Sequence, residues 1–213
     1  MSAILDPSCR DHLSRLPIGA DWRCIEIGAG NRSLSAWLAT KVGAKGKVIA
    51  TDLNPDLMSG IATDTLEIRG LDVVKDGLEE STYDLVVMRA LLHHLPERMD
   101  VIATMARALR PGGFVFIQEP DFYPTLIVEP EDQATFWRDF LAWSQAKQID
   151  YHVGRKVAPR LQDLGVEVTT SEGHAVQYNG GSAYARWWKL GIGEVAERML
   201  ADGTTTKERL DHF

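Results

Sequence analysis

Short apolar runs alternate with amphipathic stretches over the first 120 residues of the chain. Several of the runs are apolar on both faces, as strands in the middle of a parallel sheet must be. The predicted strands lie at residues 24–27, 48–51, 66–71, 83–88 and 114–117. The amphipathic stretches between them predict crossover helices. The expected fold class is therefore α/β, with a doubly wound, mostly parallel sheet and helices on both faces.

Helical spacing of apolar residues marks the other elements. Leu34, Trp37, Leu38 and Val42 predict a helix over residues 31–40, and a later helix ends at the Pro-Gly-Gly sequence of residues 111–113. An N-terminal helix is expected within residues 1–20. Further helices are predicted over residues 131–149, 155–164, 182–202 and 204–213.

Residues 166–178 have the alternation of a strand instead. Apolar or bulky side chains fall at even-numbered positions, with polar interruptions around Gly173. One long strand is the favoured interpretation. The alternative is a tight turn at residues 171–174 that joins two short antiparallel strands.

Composition excludes several classes of partner. The chain has 213 residues and a formal net charge of −7, without a run of basic residues, which argues against nucleic acid and anionic membranes. No apolar run is long enough to span a bilayer, and the N-terminus does not have the pattern of a secretory signal. The two cysteines lack metal-ligand spacing, so we expect a cytoplasmic protein without a disulfide or a metal site.

The most informative stretch is the turn after the first predicted strand, Glu26-Ile27-Gly28-Ala29-Gly30. Glycines let a ligand approach the backbone there, and the helix that follows presents free N–H groups. The next strand ends at Asp52, whose carboxylate can accept hydrogen bonds from both hydroxyls of a ribose. This pairing within one strand–helix–strand unit predicts a nucleoside site.

Two other nucleotide-binding classes fit less well. A dehydrogenase of this size is expected to contain Tyr-x-x-x-Lys, which none of the tyrosines here begins. Glu26 would also place an acid beside a pyrophosphate. A P-loop is excluded because Gly46-Lys47 leads into a strand instead of following one.

Five successive motifs resemble class I S-adenosylmethionine-dependent methyltransferases. They are Glu26-x-Gly28-x-Gly30, Asp52, Asp72, the sequence Tyr-Asp-Leu-Val-Val at 83–87, and Leu-Arg-Pro-Gly-Gly at 109–113. The segment Arg-Ala-Leu-Leu-His-His-Leu at 89–95 is similar to that of small-molecule methyltransferases of the ubiquinone/menaquinone-biosynthesis type and their antibiotic-pathway relatives. The resemblance implies a Rossmann-like fold with S-adenosylmethionine as the methyl donor.

The resemblance also implies roles for individual residues. The methionine part of the donor lies against the backbone of Gly28, Ala29 and Gly30. Its ammonium group is bound by Glu26 and by the carbonyl of Arg89. Asp52 binds the ribose with Leu53 against the adenine, while Asp72 and Val73 bind the adenine edge. An alternative for Asp72 is a helix cap.

His94 is the candidate catalytic residue, as a general base for the acceptor. The alternative is that His93 and His94 pack and shape the pocket. Glu119 and Asp121 lie where an acceptor should bind, or are solvated loop acids. Aromatic residues could form an acceptor pocket, although most are expected in the core: Phe122, Tyr123, Trp137, Phe140, Trp143, Tyr184, Trp187 and Trp188.

The resemblance thus predicts one methyltransferase domain over residues 1–213. Residues 21–120 would bind the donor and residues 121–213 would form the acceptor side with the last strand, while the family's seventh strand is expected to be absent. The predicted activity is methyl transfer to the oxygen, nitrogen or carbon of a small molecule, in secondary metabolism. A homodimer is left open. The alternatives are a non-catalytic S-adenosylmethionine-binding subunit and, more distantly, a nicotinamide-dependent oxidoreductase.

Overall fold

The computed structural model describes residues 2–58, 62–122, 131–176 and 179–211. Within them, five strands form one parallel sheet in the order β3-β2-β1-β4-β5. The strands are β1 (Arg23–Ile27), β2 (Lys47–Asp52), β3 (Leu66–Gly70), β4 (Tyr83–Arg89) and β5 (Leu109–Gln118). All five correspond to predicted strands. The strand order reverses between β1 and β4, and open α/β sheets bind ligands at such a point.

The helices follow the predicted order. They are α1 (Ser2–Ser14), α2 (Ser33–Val42), α3 (Arg98–Ala108), α4 (Glu131–Ala146), α5 (Gly154–Asp163), α6 (Ala183–Ala201) and α7 (Lys207–Asp211). Helix α2 begins two residues later than its predicted start at residue 31 because Gly30 and Arg32 have positive φ angles of 54° and 58°. A right-handed helix cannot include such residues.

Both faces of the sheet are covered, which explains why the strands are apolar on both sides. Alternate residues of β4 belong to opposite clusters: Val86 and Met88 pack with α3, whereas Leu85 and Val87 pack with α1 and α2. A third, aromatic cluster joins α4 and α6 beyond the carboxyl end of β5. Its buried aromatic members are Phe122, Phe136, Trp137, Phe140 and Trp143.

Strand β5 is longer than predicted because it begins directly after α3. The residues between Leu109 and Phe114 bulge out of the register that pairs β5 with Tyr83 and Leu85 of β4. At Gly113, a Cβ atom would lie 2.9 Å from the carbonyl oxygen of Tyr83, so the close approach of the two strands requires glycine.

The prediction of a strand over residues 166–178 is wrong for the part that the structure describes, residues 166–176. Neither the long strand nor the hairpin forms there; Gln177 and Tyr178 lie outside the described residues. Val166 and Val168 pack against the α3 cluster, but every residue from 169 to 176 is exposed. Alternation stabilises a strand only when one face is buried, and here the side chains of Glu172 and His174 contact α1 instead.

Within the described residues, β5 is consequently the last strand, and the helices α4 to α7 follow it. None of the described helices has the length and apolar content needed to cross a membrane.

Candidate functional site

The glycine turn after β1 lies at the reversal of strand order. Gly28 has a φ of 70°, and a Cβ atom there would lie 2.7 Å from Cδ2 of Leu91, so the segment that follows β4 packs directly on this turn. Gly30 also has a positive φ, yet a Cβ there would meet nothing within 4 Å. The turn is therefore packed against protein at Gly28 and open at Gly30, where a ligand could approach the backbone.

Asp52 joins the ends of β1 and β2. Its Oδ2 accepts a hydrogen bond from the Gly30 N–H at 2.9 Å, and its Oδ1 accepts one from the Asn54 N–H at 3.1 Å. A carboxylate has about four lone-pair sites, so each oxygen can still accept a hydroxyl. The adjacent Leu53 is 75% exposed, an unusual position for a large apolar side chain at the mouth of the turn.

Glu26 is an acid buried inside the sheet, with 1% of its surface exposed. Burial raises its pKa to about 7, while a hydrogen bond donated by the Ser35 hydroxyl opposes that rise. The positive charge of Arg89 also lowers the pKa, and the negative charge of Asp6 raises it. A cationic group bound near Glu26 would favour the ionised carboxylate.

Arg89, at the end of β4, is held by an acid that the sequence did not single out. Its Nη1 donates to Oδ1 of Asp6 at 2.6 Å, and both side chains are about one-tenth exposed. Asp6 also accepts hydrogen bonds from Ser33 at 3.0 Å and from Arg10 at 3.0 Å. This network fixes α1 against the start of α2, and it directs the Arg89 guanidinium towards Asp6.

Asp72 follows β3 at the same edge of the sheet, where the Leu71 N–H donates to the Asp52 carbonyl at 3.0 Å. Its carboxylate accepts from the Val74 N–H at 3.1 Å and lies 3.0 Å from Lys75 Nζ. The hydrogen bond from Lys75 lowers the pKa of Asp72 below its ordinary value. Asp72 thus caps a turn after β3; the alternative raised from the sequence was a helix cap, and the structure, which describes all of residues 71–82, has no helix between β3 and β4. Val73 beside it is buried.

A buried acid organises the segment after β4. The side chain of Glu119 has no exposed surface, and it accepts hydrogen bonds from the Leu91 and Leu92 N–H groups at 2.7 and 2.8 Å. Its second oxygen lies 2.8 Å from Nδ1 of His93. The interpretation of Glu119 as a solvated loop acid is therefore wrong, because the N–H groups of Leu91 and of the 3-10 turn Leu92–His94 are directed towards this carboxylate.

His94 occupies the outer side of the same turn, where part of its surface is exposed and the rest lies against protein. Its ring centre lies 3.9 Å from that of His93. Loss of hydration against the surrounding protein, followed by the proximity of His93, lowers the pKa of His94 to about 4. His94 is accordingly a neutral and weak base at pH 7.

The aromatic cluster begins next to His93. The Tyr151 ring lies 5.1 Å from the His93 ring and stacks on Phe122 at 4.5 Å. Phe140, Trp137 and Trp143 continue the cluster, as expected for core aromatics. Asp121 forms a two-fold hydrogen bond with Arg155 at 2.8 Å in each branch. Tyr123 lies outside the described residues.

The structure therefore brings most of the predicted residues to one edge of the sheet. The glycine turn, Asp52, Asp72 and His94 all follow the carboxyl ends of parallel strands, and Glu26 lies within β1 directly beneath the turn. Asp6 and Glu119 were missed as partners of site residues. Asp6 lies in a predicted helix without a motif, and the only sequence signal for Glu119 was its place directly after β5.

Comparison with known proteins agrees with this geometry. A family model described as a methyltransferase domain matches residues 1–171. The ubiquinone/menaquinone biosynthesis C-methyltransferase UbiE of Idiomarina loihiensis is 28% identical over 106 residues, or 46% of this chain and 42% of that protein. Trans-aconitate 2-methyltransferase of Mycobacterium tuberculosis is 29% identical over 178 residues, or 75% of this chain and 62% of that protein. The chain thus spans less than two thirds of the length of either relative.

Solved structures show the same fold. A Haloferax volcanii complex of the Trm112 methyltransferase activator with a methyltransferase matches at a TM-score of 0.61 and 17% identity, covering 83% of this chain and 75% of that one. A SAM-dependent methyltransferase from Aquifex aeolicus matches at a TM-score of 0.52 and 18% identity, covering 79% of this chain and 82% of that one. The chain belongs to the methyltransferase-domain family, the class I methyltransferases whose cofactor is S-adenosylmethionine.

Proposed function

We propose that this chain transfers a methyl group from S-adenosylmethionine to an oxygen, nitrogen or carbon atom of a small-molecule acceptor. One observation carries the proposal: the open glycine turn at Gly30 is bonded to Asp52 directly above the buried acid Glu26. Within one strand–helix–strand unit, a ligand can approach the backbone at Gly30, its hydroxyls can donate to Asp52, and a cationic group can pair with the Glu26 carboxylate.

The residues on this edge can hold the donor in a defined order. Asp52 has acceptor capacity left for the ribose hydroxyls, and the exposed side chain of Leu53 can cover the adenine. Glu26 and the Arg89 carbonyl would accept from the ammonium group. The guanidinium of Arg89 acts differently, since it is bound to Asp6 and stabilises α1 beside the turn.

Asp72 and Val73 would bind the adenine amino group and ring. The Asp72 carboxylate already caps the turn after β3, which presents this loop in a fixed conformation. We propose that the cap and the adenine contact are both made by Asp72, because a carboxylate can accept several hydrogen bonds.

The bound donor supplies a methyl group on a sulfonium, with a neutral thioether as the leaving group. The chain's own residues are then needed to orient the acceptor and to exclude water, since positioning carries much of the rate of such a displacement. His94 fits this role better than that of a strong base. Its pKa of about 4 leaves it neutral and weakly basic at pH 7.

The acceptor side is proposed to lie between His94 and the aromatic cluster. His93 connects the two, since its ring is near both His94 and Tyr151. Relatives with small-molecule names, the quinone-biosynthesis and trans-aconitate methyltransferases, support a small acceptor. The chain is also similar to part of the hybrid PKS-NRPS synthetase pydA of Acremonium, with 35% identity over 109 residues, or 46% of this chain and 3% of that protein, and this similarity supports a role in secondary metabolism. A cytoplasmic location stays a prediction.

The proposal is tested by binding and turnover on the same preparation. Calorimetry with S-adenosylhomocysteine should show one site, and the ligand should raise the melting temperature because it binds only the folded chain. NAD is the control ligand and should do neither. Mass spectrometry of reactions with S-adenosylmethionine and a panel of phenols, amines, quinols and carboxylic acids should show a methylated product. Binding without any methylated product would favour the non-catalytic subunit, and binding of NAD alone would refute the proposal.

A further inference from the structure

Three metal-ligating side chains meet on the surface of α1, away from the glycine turn. His12 lies on α1, whereas Glu172 and His174 lie on the exposed segment that follows β5 and α5. The Nε2 atom of His12 is 3.1 Å from Oε2 of Glu172 and 3.3 Å from Nε2 of His174. The third edge, from His174 Nε2 to Glu172 Oε2, is 3.4 Å.

Two of these edges, 3.3 and 3.4 Å, have the spacing of ligands around a tetrahedral ion, and the third, at 3.1 Å, is slightly shorter. Zinc lies about 2.0–2.2 Å from histidine nitrogen and carboxylate oxygen. In a tetrahedron, two ligands are separated by about 1.6 times that length, which gives roughly 3.3–3.6 Å. The three atoms are thus almost at coordination distance from one common point.

The hydrogen bond at Nδ1 of His12 leaves Nε2 as the ring nitrogen that is directed at the two other side chains. Nδ1 of His12 lies 2.7 Å from the carbonyl oxygen of Ser8, which can only accept a hydrogen bond. The Nδ1 atom therefore holds the proton, and in the neutral ring Nε2 presents its lone pair towards Glu172 and His174. Metal-binding histidines commonly donate their second N–H to a backbone carbonyl in this way.

The second oxygen of Glu172 is also bound. Arg15 donates to Oε1 at 3.3 Å and forms a second pair with Asp11 at 2.6 Å. Arg15 thus holds the carboxylate with Oε2 directed at the two imidazoles. The rings of His12 and His174 meet edge to face at 5.0 Å, and His12 also lies near Phe116 of β5.

We propose that His12, Glu172 and His174 bind a divalent transition-metal ion of the zinc class, with a fourth position open to water or a small anion. The donor set of two imidazoles and one carboxylate suits zinc more than magnesium or calcium, which prefer oxygen ligands. The ion links α1 to a segment that is not paired into the sheet. This proposal is independent of the methyl-transfer reaction.

The test uses the untagged full chain, treated with a chelator and then titrated with zinc chloride. Calorimetry should show one zinc per chain, and zinc should raise the melting temperature. Cobalt(II) in the same site should show the visible absorption bands of tetrahedral coordination. His12→Ala and His174→Ala should each weaken zinc binding by more than about 100-fold. Loss of a group that only hydrogen-bonds to a metal ligand would weaken it by about 10–100-fold. Glu172→Gln should weaken it less.

His152→Ala is the matched control, because His152 pairs with Asp121 at another part of the surface. It should bind zinc like the wild type. His174 is 53% exposed, so its variant is expected to fold, and circular dichroism checks this. The proposal is overturned if the wild type binds no zinc, or if His12→Ala and His174→Ala bind it with wild-type affinity.

Discussion

Asp6 and Arg89 form a nearly buried ion pair, with 2.6 Å between Oδ1 and Nη1 and about a tenth of each side chain exposed. The pair joins the N-terminal helix to the carboxyl end of β4, across 83 positions of sequence. It lies beside Glu26, whose pKa both charges influence. The N-terminal helix is thereby part of the wall of the candidate donor site.

Asp6→Ala should lower the free energy of unfolding by about 3–5 kcal/mol, because it leaves the Arg89 charge buried without a partner. Asp11→Ala on the same helix is the control. Asp11 pairs with Arg15, but its side chain is 65% exposed, and such a pair contributes about 0–1 kcal/mol. Urea denaturation measures both. Equal losses in the two variants would contradict a structural role for the Asp6–Arg89 pair.

Asp52→Ala should weaken the binding of S-adenosylhomocysteine by roughly 1–3 kcal/mol, since buried ribose hydroxyls would lose their acceptor. Asp52→Asn keeps one acceptor oxygen and should cost less. Asp56→Asn, at an exposed position four residues along the chain, should bind like the wild type. Calorimetry gives the three affinities. If Asp52→Ala retained wild-type affinity, the ribose would have to be bound elsewhere.

Glu26 should make the ligand-free protein less stable as the pH rises. Its folded pKa of about 7 lies above the ordinary value of 4.5, so its contribution is fully present below pH 4.5 and is lost as the pH rises through 7. Glu26→Gln removes this dependence. The stability difference between variant and wild type should therefore move in favour of the variant by about 3 kcal/mol between pH 4.5 and 8.

Denaturation of the ligand-free chain at a series of pH values measures that difference. Ser35→Ala provides a second test, because the lost hydrogen bond had lowered the pKa of Glu26. In this variant the folded-state pKa of Glu26 should be higher, so the loss of stability should continue to a higher pH. A stability difference between Glu26→Gln and the wild type that does not change with pH would show that Glu26 ionises normally.

His94→Ala should leave the affinity for S-adenosylhomocysteine nearly unchanged and should reduce turnover by less than about tenfold. The reason is that a base with a pKa of about 4 removes a proton poorly at pH 7. Steady-state rates with an accepted substrate measure the effect. A loss of roughly 10²–10⁴-fold would instead identify His94 as the general base.

His93→Ala is the companion variant for the same turn. It leaves the fully buried Glu119 without its imidazole partner, so stability should fall while the exposed His94 remains in place. Unfolding experiments on the two histidine variants should therefore show a larger loss of stability for His93→Ala than for His94→Ala, and equal losses would contradict the role of His93 as the partner of Glu119.

Local signals in the sequence were sufficient for most of the fold. The strands of the parallel sheet are continuous apolar runs in the sequence because both of their faces are buried. The helices were predicted from the spacing of apolar residues such as Leu34 and Leu38. The glycine turn and Asp52 could be identified because a strand–helix–strand unit places them at a predictable distance along the chain. The family and the meeting of the glycine turn with Asp52 at one edge of the sheet therefore followed from the sequence, whereas their part in donor binding stays a prediction.

Contacts between distant residues were decided only by the tertiary structure. Asp6 and Glu119 carry no motif, and their roles arise because folding excludes water around Arg89 and around the turn at His93. The alternation over residues 166–178 predicted a strand, yet residues 169–176 are exposed and no core covers them. Glu172 and His174 meet His12 across about 160 residues, which no spacing in the sequence could indicate. Periodicity records which residues face the same side of one element, whereas burial and side-chain pairing depend on what another element brings to that side.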